Sequence, residues 1–243
     1  MRQSRNDIRV LPRLLNLIYP RRCPVCDDIV GGTRLICEPC RLRLHPVREP
    51  FCKKCGKPLS TQEAEYCPDC GRRKHLYTRG RAVFEYDFVM RESIGRFKYE
   101  NRREYGDFYV REMLGSCKEA VRSWNIDLII PIPLHRSRRR TRGFNQAELI
   151  ARKLGKELGI PVSADTLLRS RKTKPQKELN DQERRNNLKN AFKIGKNDLE
   201  FKKILLIDDI YTTGSTIDAA ASVLLDHGAE KVYFLSISIG RGY

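Results

Sequence analysis

The chain has 243 residues and carries 48 lysines and arginines against 30 aspartates and glutamates, a formal net charge of +18. At 40% hydrophobic and 32% charged it can bury at least one core, and its length suits one sizeable domain or a medium domain with a small appendage. No apolar run approaches the roughly 20 residues that cross a bilayer, so no helical membrane span is expected.

Residues 1–22 form a basic segment whose short Leu-rich stretch is broken by Pro12, Arg13 and Asn16. That stretch lacks the unbroken apolar region of an export signal, so a cytoplasmic protein is expected. Residues 1–80 hold 17 basic and 8 acidic side chains. This excess suits a polyanionic partner, either a nucleic acid backbone or a phosphate-rich substrate, and a plain solvated basic surface is the alternative.

Residues 23–78 contain four CxxC pairs: Cys23/Cys26, Cys37/Cys40, Cys52/Cys55 and Cys67/Cys70. Cys23 and Cys52 stand 29 residues apart, which defines an internal repeat. Two cysteines on a tight turn can aim both thiolates at one ion, and two such turns complete a tetrahedron. Pro24, Pro39 and Pro68 lie inside the pairs, while Gly56 and Gly71 follow them, as such turns require. A disulfide framework would need an oxidising compartment, for which no export signal is present. Two structural Zn²⁺ sites with four cysteine ligands each are therefore expected. Sequential pairing is the simpler wiring and an interleaved cross-brace the alternative. Phe51, Tyr66 and Tyr77 either pack this small core or stack on bases.

From residue 80 to 243 the texture becomes that of an α/β domain with a parallel sheet covered on both faces. Alternation around Phe84, Tyr86 and Phe88 predicts a strand over Arg81–Val89. Helices are predicted over Met90–Tyr99 and Asp107–Ser123, the second with Cys117 on its buried face. Ile126–Pro131 is an apolar run of the kind that forms a strand buried on both faces. A helix is predicted to follow Asn145, with Glu148 as the return half of a capping box and Gly159 as its stop. Lys203–Asp208 and Lys231–Ile239 read as strands, and Ser215–His227 as a helix ending at Gly228.

Ligands of such sheets sit where strands run into helices. Here an apolar strand delivers Asp208 and Asp209, and the turn Thr212-Thr213-Gly214-Ser215-Thr216 opens a helix. Free N–H groups and the helix dipole make that turn an anion site, to which the hydroxyls add donors. Two carboxylates beside a phosphate seat would repel the ligand unless it also carries vicinal hydroxyls for them to accept. A 5-phosphorylated ribose meets both demands.

The string ILLIDDIYTTGST resembles the phosphoribosyl pyrophosphate signature of type I phosphoribosyltransferases. DLIIPIPLHRSRRRTRGFNQAELIA (Asp127–Ala151), the Thr173–Phe192 pattern opening on TKPQ, and the CxxC repeat together resemble the ComF family of double zinc ribbon phosphoribosyltransferases. The resemblance implies that Asp208 and Asp209 hold the ribose hydroxyls and that Thr212, Thr213, Gly214, Ser215 and Thr216 hold the 5′-phosphate. It also places pyrophosphate contacts on the loop opened by Pro131, Ile132 and Pro133, with Arg142 as a further contact. Lys172, Lys174 and Gln176 would belong to a lid within the polar run from Ser170 to Asn190. Lys98 matches a family position to which the sequence assigns no role.

The implied setting is DNA uptake in natural transformation, and three kinds of activity fit it. The first is pentosyl transfer from phosphoribosyl pyrophosphate with Mg²⁺ to an unknown acceptor, for which the chain shows no evident general base. The second is single-stranded DNA binding. The third is ribbon-mediated docking of a competence helicase or recombination partner.

Overall fold

The computed structural model describes residues 20–170, 191–195 and 202–241. Four strands, β1 (Arg79–Glu85), β2 (Leu128–Pro131), β5 (Lys203–Tyr211) and β6 (Lys231–Ile239), form one parallel sheet in the order β1-β6-β5-β2. β3 (Leu167–Arg169) and β4 (Phe192–Ile194) form a separate antiparallel pair.

Side chains of a strand alternate between faces, and β5 is apolar on both. Leu205 and Ile207 join Val83, Leu235 and Ile237 on one face, covered by α3 (Phe88–Tyr99), α4 (Tyr105–Trp124) and α6 (Gln146–Leu158). Ile204 and Leu206 join Val232 and Phe234 on the other, covered by α7 (Ser215–Asp226) and the β3–β4 pair. Each such buried side chain contributes roughly 1.5–3 kcal/mol relative to exposure. Cys117 is buried in the first of these cores, on α4.

The sheet also carries the ribbons. Short helices α1 (Glu38–Arg41) and α2 (Pro68–Arg72) begin at the second knuckle of each. Cys23, Val25, Val30, Ile36 and Leu44 of the first ribbon pack into the α3–α4 core. Cys52, Cys55, Cys67 and Tyr77 of the second pack into the α7 core. The two halves thus straddle the sheet. Between them, His45–Val47 runs antiparallel along β1: Val47 N donates to Val83 O at 2.8 Å and Glu85 N to His45 O at 2.9 Å. That covers an edge whose open hydrogen-bonding groups would otherwise invite pairing with another chain.

Several boundaries differ from expectation. The first strand ends at Glu85 rather than Val89, because the Asp87 carboxylate accepts from Met90 N at 2.8 Å and starts α3. Asn145 caps α6 as expected and Gly159 ends it with a φ of 70°. Glu148 does not close a capping box; Arg152 holds it at 2.9 Å and Arg139 lies 3.6 Å away. Arg142, expected beside the loop opened by Pro131, ends a helix, α5 (Arg136–Arg142), started by His135, which accepts from Ser137 N, and stopped by Gly143 at a φ of 75°. Among the described residues, no helix is long and apolar enough to cross a membrane.

Candidate functional site

One cysteine cluster stands on each side of the sheet. Cys23, Cys26, Cys37 and Cys40 form one and Cys52, Cys55, Cys67 and Cys70 the other, with the ligand atoms of each within 4.8 Å of one another. This is the sequential wiring, not the cross-brace. All eight thiols are free of disulfides. Sulfurs 3.6–3.7 Å apart fit a tetrahedron of Zn–S bonds, where about 2.3 Å per bond places ligands about 3.8 Å apart. The repeat extends to the backbone: Asp27 N donates to Cys23 O, and Gly56 N to Cys52 O, each at 2.9 Å. Four thiolates leave a zinc ion no open position, so these sites would hold structure. Of the ribbon aromatics, Tyr77 is core, Phe51 lies under the Arg81 guanidinium and Tyr66 is exposed.

The carboxylate pair lies within β5, which continues past it to Tyr211. Extended backbone sends the two side chains to opposite faces. Asp209 meets Lys98 of α3, Nζ to Oδ2 at 2.8 Å, with both side chains mostly buried. Asp208 lies on the other side, within electrostatic reach of Arg169 at the end of β3, and its Oδ1 accepts from Asp209 N at 2.8 Å. Burial first, and then the charge of Asp209, push the Asp208 carboxyl up to about 7. Burial, with Arg138 close by, brings the Arg169 guanidinium down to about 10.

Beyond Tyr211 the turn reaches Gly214, whose φ of 79° and close neighbours suit only glycine. Gly214 is the N-cap of α7 and has no side chain to cap it, so the positive end of the helix dipole opens on the turn, the kind of terminus that receives anions. The Thr213 and Ser215 hydroxyls lie 2.9 Å apart beside it. Ile132 N donates to Ile207 O, and Ile132 O accepts from Asn145, so Pro131, Ile132 and Pro133 are fixed beside the end of β5. Arg142 reaches Tyr99 of α3, next to Lys98, with Nη2 to the hydroxyl at 3.0 Å. Lys172, Lys174 and Gln176 lie outside the described residues.

The sequence pointed to the carboxylates, the turn and Arg142. It assigned no role to Lys98, His75 or Tyr211, and read Tyr77 only as ribbon core or a stacking ring; His75, Tyr77 and Tyr211 pack beneath the turn with partners distant in the chain, 143 residues away for His75 and Asp218. Arg169 carries no local motif that would mark it.

A parallel sheet whose acidic strand end feeds a glycine-opened helix, joined to two tetracysteine knuckle pairs, defines a ribbon-bearing protein of the type I phosphoribosyltransferase fold. Family models agree: residues 14–71 match the double zinc ribbon domain and residues 110–237 the phosphoribosyl transferase domain. The chain is 30% identical over 202 residues to "Competence protein F" of Haemophilus influenzae, covering 81% of this chain and 87% of that protein. It is 30% identical to "Competence protein ComFC" of Bacillus subtilis, over 79% of each. To "DNA utilization protein YhgH" of Escherichia coli O157:H7 it is 31% identical, covering 89% of this chain and 96% of the other. It belongs to the ComF family. Among solved structures, a purine phosphoribosyltransferase from Pyrococcus horikoshii is similar over 56% of this chain and 86% of its own, at 16% identity and a TM-score of 0.37.

Proposed function

We propose that the chain binds a 5-phosphorylated ribose, as phosphoribosyl pyrophosphate with Mg²⁺ or as ribose 5-phosphate, and that it serves DNA uptake in the cytoplasm of a competent cell. The observation that carries this reading is the adjacent pair Asp208 and Asp209 on opposite faces of β5, Asp209 paired with Lys98, followed within a few residues by the glycine-opened turn. The names of the relatives supply the setting.

In this reading Asp208 and Asp209 accept hydrogen bonds from the ribose hydroxyls, and the Thr212–Thr216 turn donates N–H groups to the phosphate. Arg138, Arg142 and Arg169 stand where they can neutralise a diphosphate on C1. Mg²⁺ on that diphosphate would further stabilise it as a leaving group. In pentosyl transfer, an acceptor nitrogen would form its bond to C1 as the C1–O bond breaks and the electron pair leaves with pyrophosphate. Titration calorimetry tests the binding. Asp208→Asn and Asp209→Asn should each weaken ribose 5-phosphate by about tenfold or more, the worth of one charged hydrogen bond. Absence of heat with wild type, for either ribose ligand, would overturn the reading.

A specific observation favours a second role, in single-stranded DNA binding. Phe88 and Tyr99 are 63% and 66% exposed and lie eleven residues apart on α3, hence on one face about 16 Å apart. Arg91 and Arg142 back these rings at 5.0 and 4.9 Å. Rings held in this way offer stacking platforms beside phosphate-binding cations. Tyr99→Ala should lower affinity for an oligothymidylate about fivefold or more with an unchanged salt slope. Arg91→Gln should instead flatten the log–log salt slope by about 0.7. Wild-type binding insensitive to salt would exclude this role.

A further inference from the structure

The second ribbon reaches the phosphate turn directly. Five residues after Cys70, the chain places His75 and Leu76 against the first turn of α7. Asp218 there is held twice, by His75 Nδ1 at Oδ2, 2.7 Å, and by Leu76 N at Oδ1, 2.9 Å. Tyr77 follows, and its hydroxyl lies 2.6 Å from that of Tyr211, the last residue before the turn. The two tyrosines are buried, and the His75 ring stacks on Tyr77 with centroids 4.9 Å apart.

Gly214 rests on this assembly. A Cβ there would meet the Tyr211 hydroxyl at 2.7 Å and His75 Cε1 at 2.9 Å. The left-handed glycine that opens the helix is therefore seated on a ring of the ribbon tail and on the tyrosine that the tail binds.

The tail is equally tied to its knuckles. Cys52, Cys55 and Cys67 share one buried cluster with Tyr77 and Tyr211. Lys54, between two of those cysteines, accepts from Gly80 N at its carbonyl, 2.8 Å, and carries its ammonium 5.3 Å from the Tyr77 ring. Lys57, only 3% exposed, pairs with Asp69 at 2.5 Å and joins the two knuckles of that ribbon. The first ribbon lies across the sheet, where Arg96 of α3 binds the Val25 carbonyl and Arg102 pairs with Asp27 at 2.5 Å.

We propose that His75 and Tyr77 are positioning residues for the phosphate turn, through which metal in the second ribbon and an anion on the turn stabilise each other. The proposal rests on the turn being an anion seat and specifies how that seat is controlled. Coupling of two binding sites is reciprocal. A ribbon that holds the turn in its binding shape must itself be held more firmly when the turn is occupied. The first ribbon, which packs into the opposite core from Tyr77, serves as an internal control.

The test follows zinc release from the full-length protein to a chromogenic chelator, with ribose 5-phosphate, with inorganic phosphate, and with neither. Two release phases are expected. Either ligand should slow one of them by about fivefold or more, the lower range of typical coupling between sites, and leave the other unchanged. Tyr77→Phe and His75→Ala should still hold two zinc ions by metal analysis. In both, the slowing should shrink to less than twofold, with a matching fall in ribose 5-phosphate affinity. His75→Asn, whose amide can still donate to Asp218, should retain most of the effect. Equal slowing of both phases, or of neither while calorimetry records ligand binding, overturns the proposal. Protection by inorganic phosphate without any binding of ribose 5-phosphate would refute the ribose reading and leave this coupling standing.

Discussion

Asp208 and Asp209 are adjacent in sequence, yet the strand separates them: one faces the α3 side with Lys98, the other the β3 side with Arg169. Because burial and Asp209 raise the Asp208 carboxyl to about 7, the folded state holds its proton over a range where the unfolded chain, at about 3.9, has lost it. The sign follows: this residue lowers stability progressively as pH rises from about 4 to about 7, and Asp208→Asn removes that slope. Thermal melts across the window should show the variant gaining on wild type toward neutral pH. Ribose hydroxyls that donate to the carboxylate favour its ionised form, so ribose 5-phosphate affinity should rise between pH 6 and 8. Asp208→Asn should keep only the share due to the second ionisation of the phosphate. The acidic pair and the turn were legible because one short string carries both. Their cations were not, since Lys98 and Arg169 reach the site from other elements and neither has a local motif.

At the scale of elements, α6 was the most legible, its Asn145 cap and Gly159 stop standing at either end of a regular apolar stripe. Helix α5 was missed because RSRRRTR has no apolar face to betray a period. Its stop, Gly143, was visible and could have marked it. The start of α3 was misplaced because Tyr86 and Phe88 continue the alternation of β1, while the single carboxylate of Asp87 decides the boundary. This helix brings Lys98 to Asp209, and the pair is mostly buried. Removing one member leaves the other charge unpaired, so Lys98→Met should destabilise by about 1–3 kcal/mol at neutral pH. A double variant with Asp209→Asn should recover part of that loss, as measured by a denaturant-melt double-mutant cycle.

For the whole molecule, the period of 29 residues disclosed two metal knuckle pairs, and the structure adds that they occupy opposite faces of one sheet. No residue pattern could have shown that, because the apolar residues of a ribbon do not specify which core receives them. Stripping zinc should loosen both faces and free the β1 edge together. Chelator treatment is expected to produce light-scattering aggregates rather than a folded α/β core. A soluble, monomeric chain with its sheet intact after zinc removal would contradict that arrangement.

The sheet order has a consequence for the chain as it is synthesised. β1 pairs with β6, which follows every other strand in sequence, so β1 leaves the ribosome well before its sheet neighbour exists. During that interval the segment His45–Val47, already synthesised, is the strand-like partner at hand. The metal knuckles on either side of it emerge earlier or at nearly the same time. Loaded with metal, they would hold the orphan strand in a defined setting until the last strand arrives to close the sheet, an internal scaffold for the newborn protein.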